Sequence, residues 1–326
     1  MEPDRRPPLL VLVGPTAIGK TALSLQLAKK YNAEIISGDS MQVYRRMDIG
    51  TAKLMPEQRE GVPHHLIDIC EPEHPFSVSE FQRRCTDAIE EITARGRLPM
   101  IVGGTGLYVE SVCYGFEFRE QGADEAYREE QREYAATHGN EALHAKLAAV
   151  DPASAAKLHA NDVGRVVRAL EVHRVTGKPL SEQQSQARGD DKQSPYRLCL
   201  IGLTMDRAVL YERIEQRIDE MLSAGLVEEV RGLLESGVPR DAVSMRGLGY
   251  KEIAAYLAGE MPYETAVDVL KRDTRHFAKR QLSWFRHMKS LEWVDLDVAA
   301  KNNGLFAATC DIIAGKFPMD IEYISS

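Results

Sequence analysis

The stretch Gly14-Pro15-Thr16-Ala17-Ile18-Gly19-Lys20-Thr21 follows an apolar run at 9–13 and precedes residues 21–31, which have helical spacing. Its glycines let the backbone curl until successive N–H groups point inward, and the positive end of the following helix adds to the field, so the stretch can hold a polyanion. Lys20 would lie along a diphosphate, and the Thr21 hydroxyl would ligate Mg²⁺. This is the phosphate-binding P-loop in the strand, loop, helix context it requires. Taken alone it suggests ATP, and it leaves open whether the phosphate is transferred or departs. A second buried run, 33–37, leads through Gly38 into Asp39-Ser40-Met41-Gln42-Val43-Tyr44. In an open parallel sheet the carboxyl ends of neighbouring strands share one crevice, which puts Asp39 beside the phosphate loop. A carboxylate there can take a proton as a general base, or it can cap a turn; position alone leaves both open. A third run, 99–102, delivers Gly103-Gly104-Thr105-Gly106-Leu107-Tyr108. A dinucleotide-binding loop needs a small sixth residue and an acidic strand end about 20 positions on. Counting from Gly104 the sixth residue is Val109, and no such acid follows. The turn reads instead as a second glycine-rich loop facing the first, with the Thr105 hydroxyl open to a ligand, or as glycines that let a helix approach the sheet closely.

Around these residues the chain is long enough for one large domain or two modest ones, with 326 residues and 44% hydrophobic content. Lys and Arg number 41 against 49 Asp and Glu, a net charge of −8, so any surface for a polyanion must be local. Five scattered cysteines without CxxC spacing exclude a disulfide framework and a thiolate zinc site, and point to a reducing cytoplasm. No apolar run approaches the roughly 20 residues that span a bilayer. A strand at 66–69 and a polar surface loop at 45–63 are expected after Tyr44, then an amphipathic helix over 77–95 carrying Phe81, Cys85, Ile89 and Ile92. From 118 to 194 the β-branched runs give way to charged helical sequence, read as an insertion. Within it Asp162 caps a helix with the stripe Val163, Val166, Val167 and Leu170, and Gly177 stops it. Strand character returns at 198–203. Asp206 then caps a helix on which Arg213 and Arg217, four apart, share a face that by itself reads as solvated. Residues 271–289 carry Lys271, Arg272, Arg275, Lys279, Arg280, Arg286 and Lys289 against the single acid Asp273, with Leu270, Phe277, Leu282, Phe285 and Met288 as the buried side. This is the local basic surface, and it favours an anionic partner. The fold class is α/β, a P-loop core at 1–117 and 195–295 with a helical insertion at 118–194; the tail at 296–326 carries no signal.

Seven blocks in order resemble the tRNA dimethylallyltransferase family: 14–21, 39–44, Asp48-Ile49-Gly50-Thr51-Ala52-Lys53, 103–108, the segment from Asn161-Asp162 to Arg168-Ala169-Leu170-Glu171, Arg213-Ile214-Glu215-Gln216-Arg217, and Lys279-Arg280-Gln281-Leu282-Ser283-Trp284-Phe285. No zinc-finger extension like that of eukaryotic relatives follows, which points to a bacterial-type member. The resemblance implies a core like that of nucleotide kinases, transfer of a dimethylallyl group from dimethylallyl diphosphate to N6 of an adenosine beside the anticodon, and a monomer acting on the tRNA anticodon stem-loop with Mg²⁺. It implies that the P-loop holds a diphosphate that leaves, that Asp39 is the base, and that Thr105 and Arg217 serve the reacting end and the departing charge. It further implies RNA contacts at Asp39, Ser40, Met41, Gln42 and Thr105, at Val163, Gly164, Arg165, Val166, Val167 and Arg168, at Arg246, Gly247 and Lys251, and at Arg275, Lys279, Arg280 and Gln281. An adenylate isopentenyltransferase acting on free AMP or ADP is the nearest alternative, and a P-loop small-molecule kinase the next. A GTP-dependent switch is disfavoured, because the chain has neither an Asn-Lys-x-Asp nor an Asp-x-x-Gly motif.

Overall fold

Pro8–Val13 (β1), Ala33–Gly38 (β2), His64–His65 (β3), Leu98–Gly103 (β4), Arg197–Thr204 (β5) and Glu292–Asp295 (β6) form one parallel sheet in the order β3-β2-β4-β1-β5-β6. Leu9 to Val13 are wholly buried, as a central strand covered on both faces must be, which is why this run does not alternate with polar residues. The computed structural model describes residues 4, 6–116, 118, 124–182 and 193–317. They fall into two compact units, one running to Cys113 and resuming at Ser194, the other Tyr114–Gln193. The sequence reading put the boundaries at 117/118 and 194/195.

In the first unit, Lys20–Lys30 (α1) starts directly from the P-loop and Val78–Ala94 (α2) starts from Ser77, whose side chain accepts the Glu80 N–H. The apolar face of α2 is Phe81, Cys85, Ala88, Ile89 and Ile92, all buried. Gly106–Cys113 (α3) follows β4 directly. The second unit is helical: Glu125–His138 (α4), Asn140–Val150 (α5), Pro152–Ala155 (α6) and Val163–Thr176 (α7). Its core holds Leu143, Leu147, Val166, Val167, Ala169 and Leu170. Asp162 does stand at the start of α7, but its side chain caps no N–H. After β5 the first unit continues with Arg207–Ser223 (α8), capped by Asp206 as expected, Leu226–Glu235 (α9), Tyr250–Leu257 (α10) and Tyr263–Phe285 (α11).

Three expectations are corrected. The strand read at 66–69 lies instead at His64–His65, because Leu66 and Asp68 both adopt positive φ, 60° and 57°, which no strand accommodates. The 45–63 segment is not a surface loop throughout: Met47 is fully buried and Lys53 nearly so. The residues after 295, read only as a tail, include two helices of the first unit. Leu296–Lys301 (α12) and Leu305–Lys316 (α13) follow β6, and α13 packs on α1, β5 and β6 with Ile313 and Phe317 buried. Short runs such as 292–295 carry too little periodicity to announce a strand by themselves. Among the described residues no helix is long and apolar enough to cross a membrane.

Candidate active site

Between β1 and α1 the P-loop turns through left-handed backbone at Ala17 (φ 63°) and Gly19 (φ 99°). Lys20 folds back over it, donating to the carbonyls of Gly14 (2.9 Å) and Pro15 (2.7 Å). Burial lowers the Lys20 ammonium from its ordinary value to about 7; the Arg217 charge pushes the same way and the Asp39 carboxylate opposes both. Burial likewise depresses Arg217, again against the pull of Asp39. Two cationic side chains and one carboxylate therefore feel one another here.

Asp39 sits at the carboxyl end of β2. Its Oδ1 accepts the backbone N–H of Met41 at 2.8 Å and, more weakly, that of Gln42 at 3.4 Å. The turn-capping reading thus holds for one oxygen, while the residue still lines the crevice. At the end of the adjoining β4, Thr105 Oγ1 accepts the Ser40 N–H (3.1 Å) and lies 3.4 Å from Ser40 Oγ, and the Thr105 N–H donates to the Gly38 carbonyl (3.2 Å). These bonds tie the Asp39 turn to the Thr105 turn. The Gln42 side chain accepts from Ser37 Oγ and donates to the Thr51 carbonyl, so it is occupied within the crevice wall.

That wall continues through 48–53, held from two sides. Lys53 Nζ donates to Asp48 and Asp68 carboxylates (2.6 Å each) and to the Tyr44 carbonyl (2.8 Å). Glu229 of α9 accepts the N–H groups of Asp48, Ile49 and Gly50 at 2.9, 2.7 and 3.1 Å and the Tyr250 hydroxyl at 2.6 Å. Gly50 must be glycine, since a Cβ there would meet the Tyr250 ring at 2.6 Å. Sequence reasoning passed over Glu229; a lone acid on an amphipathic helix carries no signal until the loop it clamps is known.

Two cavities open on these residues. The larger, about 890 Å³, is walled by residues 16–22 of the P-loop and α1, by Ser37 and Gln42, and by the 48–55 segment. The smaller, about 320 Å³, is lined by Ser40, Met41 and Thr105, by apolar Ile214, Ile218, Leu248 and Leu270, and by basic Arg246, Lys251 and Arg280. Thr16 and Ala17 of the P-loop, Asp39, Thr51, Arg217, Met221 and Phe277 line both. Arg217 therefore leaves the solvated face that its spacing alone suggested. Phe277, expected on the buried side of the basic helix, is half-buried and faces the cavities, as does Met221 of α8.

Several residues expected at an RNA surface lie elsewhere. Val166 and Val167 are in the core of the second unit, which leaves Gly164, Arg165 and Arg168 as the exposed positions of that segment, with Val163 partly covered. Their position on α7 as the core stripe outweighs the pattern that suggested contact. Gln281 is buried, with its amide between the Thr16 N–H and the Gly104 carbonyl. Arg275 is paired with Glu215 of α8, Lys271 with Asp219 of the same helix (2.6 Å), and Lys251 with Asp273 (2.9 Å). The positive charge of α11 is thus partly neutralised by acids from a neighbouring helix that the helix's own sequence could not reveal. Lys279 and Arg280 remain exposed, the latter over the Phe277 ring.

The family model described as IPP transferase matches residues 42–288, and that described as isopentenyl transferase matches residues 7–71. A tRNA dimethylallyltransferase of Geobacillus thermodenitrificans is 52% identical over 312 residues, covering 96% of this chain and 98% of the relative. One of Symbiobacterium thermophilum is 53% identical over 311 residues, covering 95% and 96%. The crystal structure of a tRNA isopentenylpyrophosphate transferase from Bacillus halodurans superposes with a TM-score of 0.71 at 47% identity, over 97% of this chain and 98% of that one. A eukaryotic dimethylallyltransferase acting on tRNA superposes with a TM-score of 0.77 at 27% identity, over 95% and 79%.

Proposed function

This chain belongs to the IPP transferase family, and from that premise we propose that it transfers the dimethylallyl group of dimethylallyl diphosphate to N6 of the adenosine beside the tRNA anticodon, position 37, releasing diphosphate. The observation that carries the assignment of parts is that Asp39 and Arg217 line both cavities, one walled by the P-loop and the other rimmed by Arg246, Lys251 and Arg280. A diphosphate held by the loop amides and Lys20 and an adenine entering past the basic rim would meet at these two side chains.

The adenine cannot react within its stack, so it is unstacked into the smaller cavity at a cost of a few kcal/mol, on the order of what base-flipping enzymes overcome. The apolar wall of Ile214, Ile218 and Leu270 and the Phe277 ring take its faces. Its N6 is a weak nucleophile, with a lone pair delocalised into the ring. The Asp39 oxygen not engaged by the Met41 N–H accepts an N6–H hydrogen bond and takes the proton as the C–N bond forms. As the allylic C–O bond breaks, negative charge gathers on the diphosphate, where Lys20, Arg217 and the loop N–H groups receive it. Thr105, fixed through Ser40, holds the Asp39 turn against the second glycine loop. The Thr21 hydroxyl lies exposed at the first turn of α1 on the crevice wall. This suits Mg²⁺, which keeps most of its waters and binds through few protein oxygens together with substrate phosphates. When bound, the ion neutralises part of the diphosphate charge.

Incubation with Mg²⁺, labelled dimethylallyl diphosphate and either unmodified tRNA or AMP is expected to place label in N6-prenyladenosine of the tRNA alone. Label confined to AMP would assign the chain to adenylate prenylation, and, in a parallel incubation with ATP, ATP consumption without prenylation would make it a kinase.

Lys20 adds a pH dependence. The free site holds this ammonium near its midpoint at about pH 7, and a bound diphosphate favours the charged form. Above pH 7 binding must therefore recruit a proton, so diphosphate affinity falls by up to about tenfold per pH unit, whereas below pH 7 this contribution is constant. Titration calorimetry in buffers of different ionisation heat reads the proton uptake directly. Lys20→Arg, which stays charged, should flatten the slope; a slope that persists would place the titration on another group.

A further inference from the structure

Gln281 lies on α11, is 6% exposed, and joins two loops that belong to other elements. Its Oε1 accepts the Thr16 N–H at 3.0 Å and its Nε2 donates to the Gly104 carbonyl at 2.9 Å. The orientation of this amide is forced, because an N–H can only donate and a carbonyl can only accept. The fit is close: a Cβ on Gly104 would stand 2.2 Å from Gln281 Nε2. One turn further along α11, Trp284 covers Gly106, where a Cβ would meet the indole at 2.3 Å. The second glycine loop is thus the seat of α11, and α11 reaches through it to the P-loop.

We propose that Gln281 is a positioning residue of the diphosphate site rather than an RNA contact. The inference rests on the reading of the P-loop as the diphosphate holder. In the free site Lys20 anchors the first half of the loop through the carbonyls of Gly14 and Pro15. When Lys20 turns to a diphosphate those carbonyls lose the ammonium, and the bond from Thr16 to Gln281 is what keeps the loop entry aimed. Without it the loop amides must be ordered at each binding event, and the ordering opposes binding.

The test measures affinity for Mg²⁺ with inorganic diphosphate, the KM for dimethylallyl diphosphate, and tRNA affinity in the absence of diphosphate. Gln281→Leu, which keeps the bulk and leaves both backbone groups unpaired, is expected to raise the diphosphate Kd and the KM by about tenfold while tRNA affinity stays within about twofold. Gln281→Glu keeps the acceptor for Thr16 but loses the donor to Gly104; its deficit should be large at pH 8 and shrink towards pH 6, as a protonated carboxyl donates again. This recovery separates positioning from a general loss of packing, and it stands as the test even if the leucine variant does not fold. Weakened tRNA binding with unchanged diphosphate affinity would overturn the proposal, as would equal losses in both without recovery at low pH. Wild-type protein that binds no diphosphate would instead overturn the reading of the P-loop itself.

Discussion

Asp39→Asn is expected to lower the single-turnover rate of bound tRNA by about a thousandfold, within the range a positioned general base contributes, while tRNA affinity changes little. The asparagine keeps a side-chain oxygen for the Met41 N–H, so the turn that Asp39 Oδ1 caps at 2.8 Å survives. What it loses is the capacity to take the N6 proton. Asp39→Ala removes cap and base together, so it should add a loss of stability and of tRNA affinity to the same loss of rate. Rapid-quench turnover measured beside filter-binding affinity distinguishes the two. If the asparagine variant turns over at the wild-type rate and only the alanine variant fails, Asp39 acts through the turn and not through a proton.

What the sequence disclosed depended on how locally each feature is encoded. The P-loop, the Asp39 turn and the Asp206 cap are defined by neighbouring residues, and each lies where its pattern indicated. The long amphipathic helix α2 was equally legible, since its burial period is contained in its own residues. Features made by pairs of distant segments were not. Gln281 read as part of a basic RNA-facing helix because nothing nearby in sequence announces Thr16 or Gly104. Arg275 read as free charge because Glu215 lies 60 residues away along the chain. Val166 and Val167 show two uses of one segment in conflict: the resemblance made the whole run an RNA contact, whereas the helical period had already marked both as core, and the period prevails. The joining of two cavities at Met221 and Phe277 is tertiary information of the same kind, invisible until α8 and α11 are placed.

Gly103→Ala is expected to destabilise the first unit by about 3 kcal/mol, the upper part of the usual range for overpacking, and to reduce turnover in the fraction that still folds. Gly103 pairs in register with Gly38 across β4 and β2. A Cβ at 103 would lie 2.2 Å from the Gly38 carbonyl oxygen and 2.6 Å from its Cα. Those are backbone atoms and cannot rotate away as a side-chain tip can. The strand ends must part, and they are the ends that carry Asp39 and Thr105. The bonds from Ser40 to Thr105 and from Thr105 to Gly38 would lengthen first. Gly232→Ala serves as the control within the same unit, because that glycine is an exposed helical residue with nothing within 4 Å of an added Cβ. It should gain about 0.5–1 kcal/mol from helix propensity alone. Urea midpoints of the two variants should therefore move in opposite directions. A Gly103→Ala protein with wild-type stability and turnover would mean that the two strand ends yield without cost, and that the glycine pair is not what brings the Asp39 and Thr105 turns together.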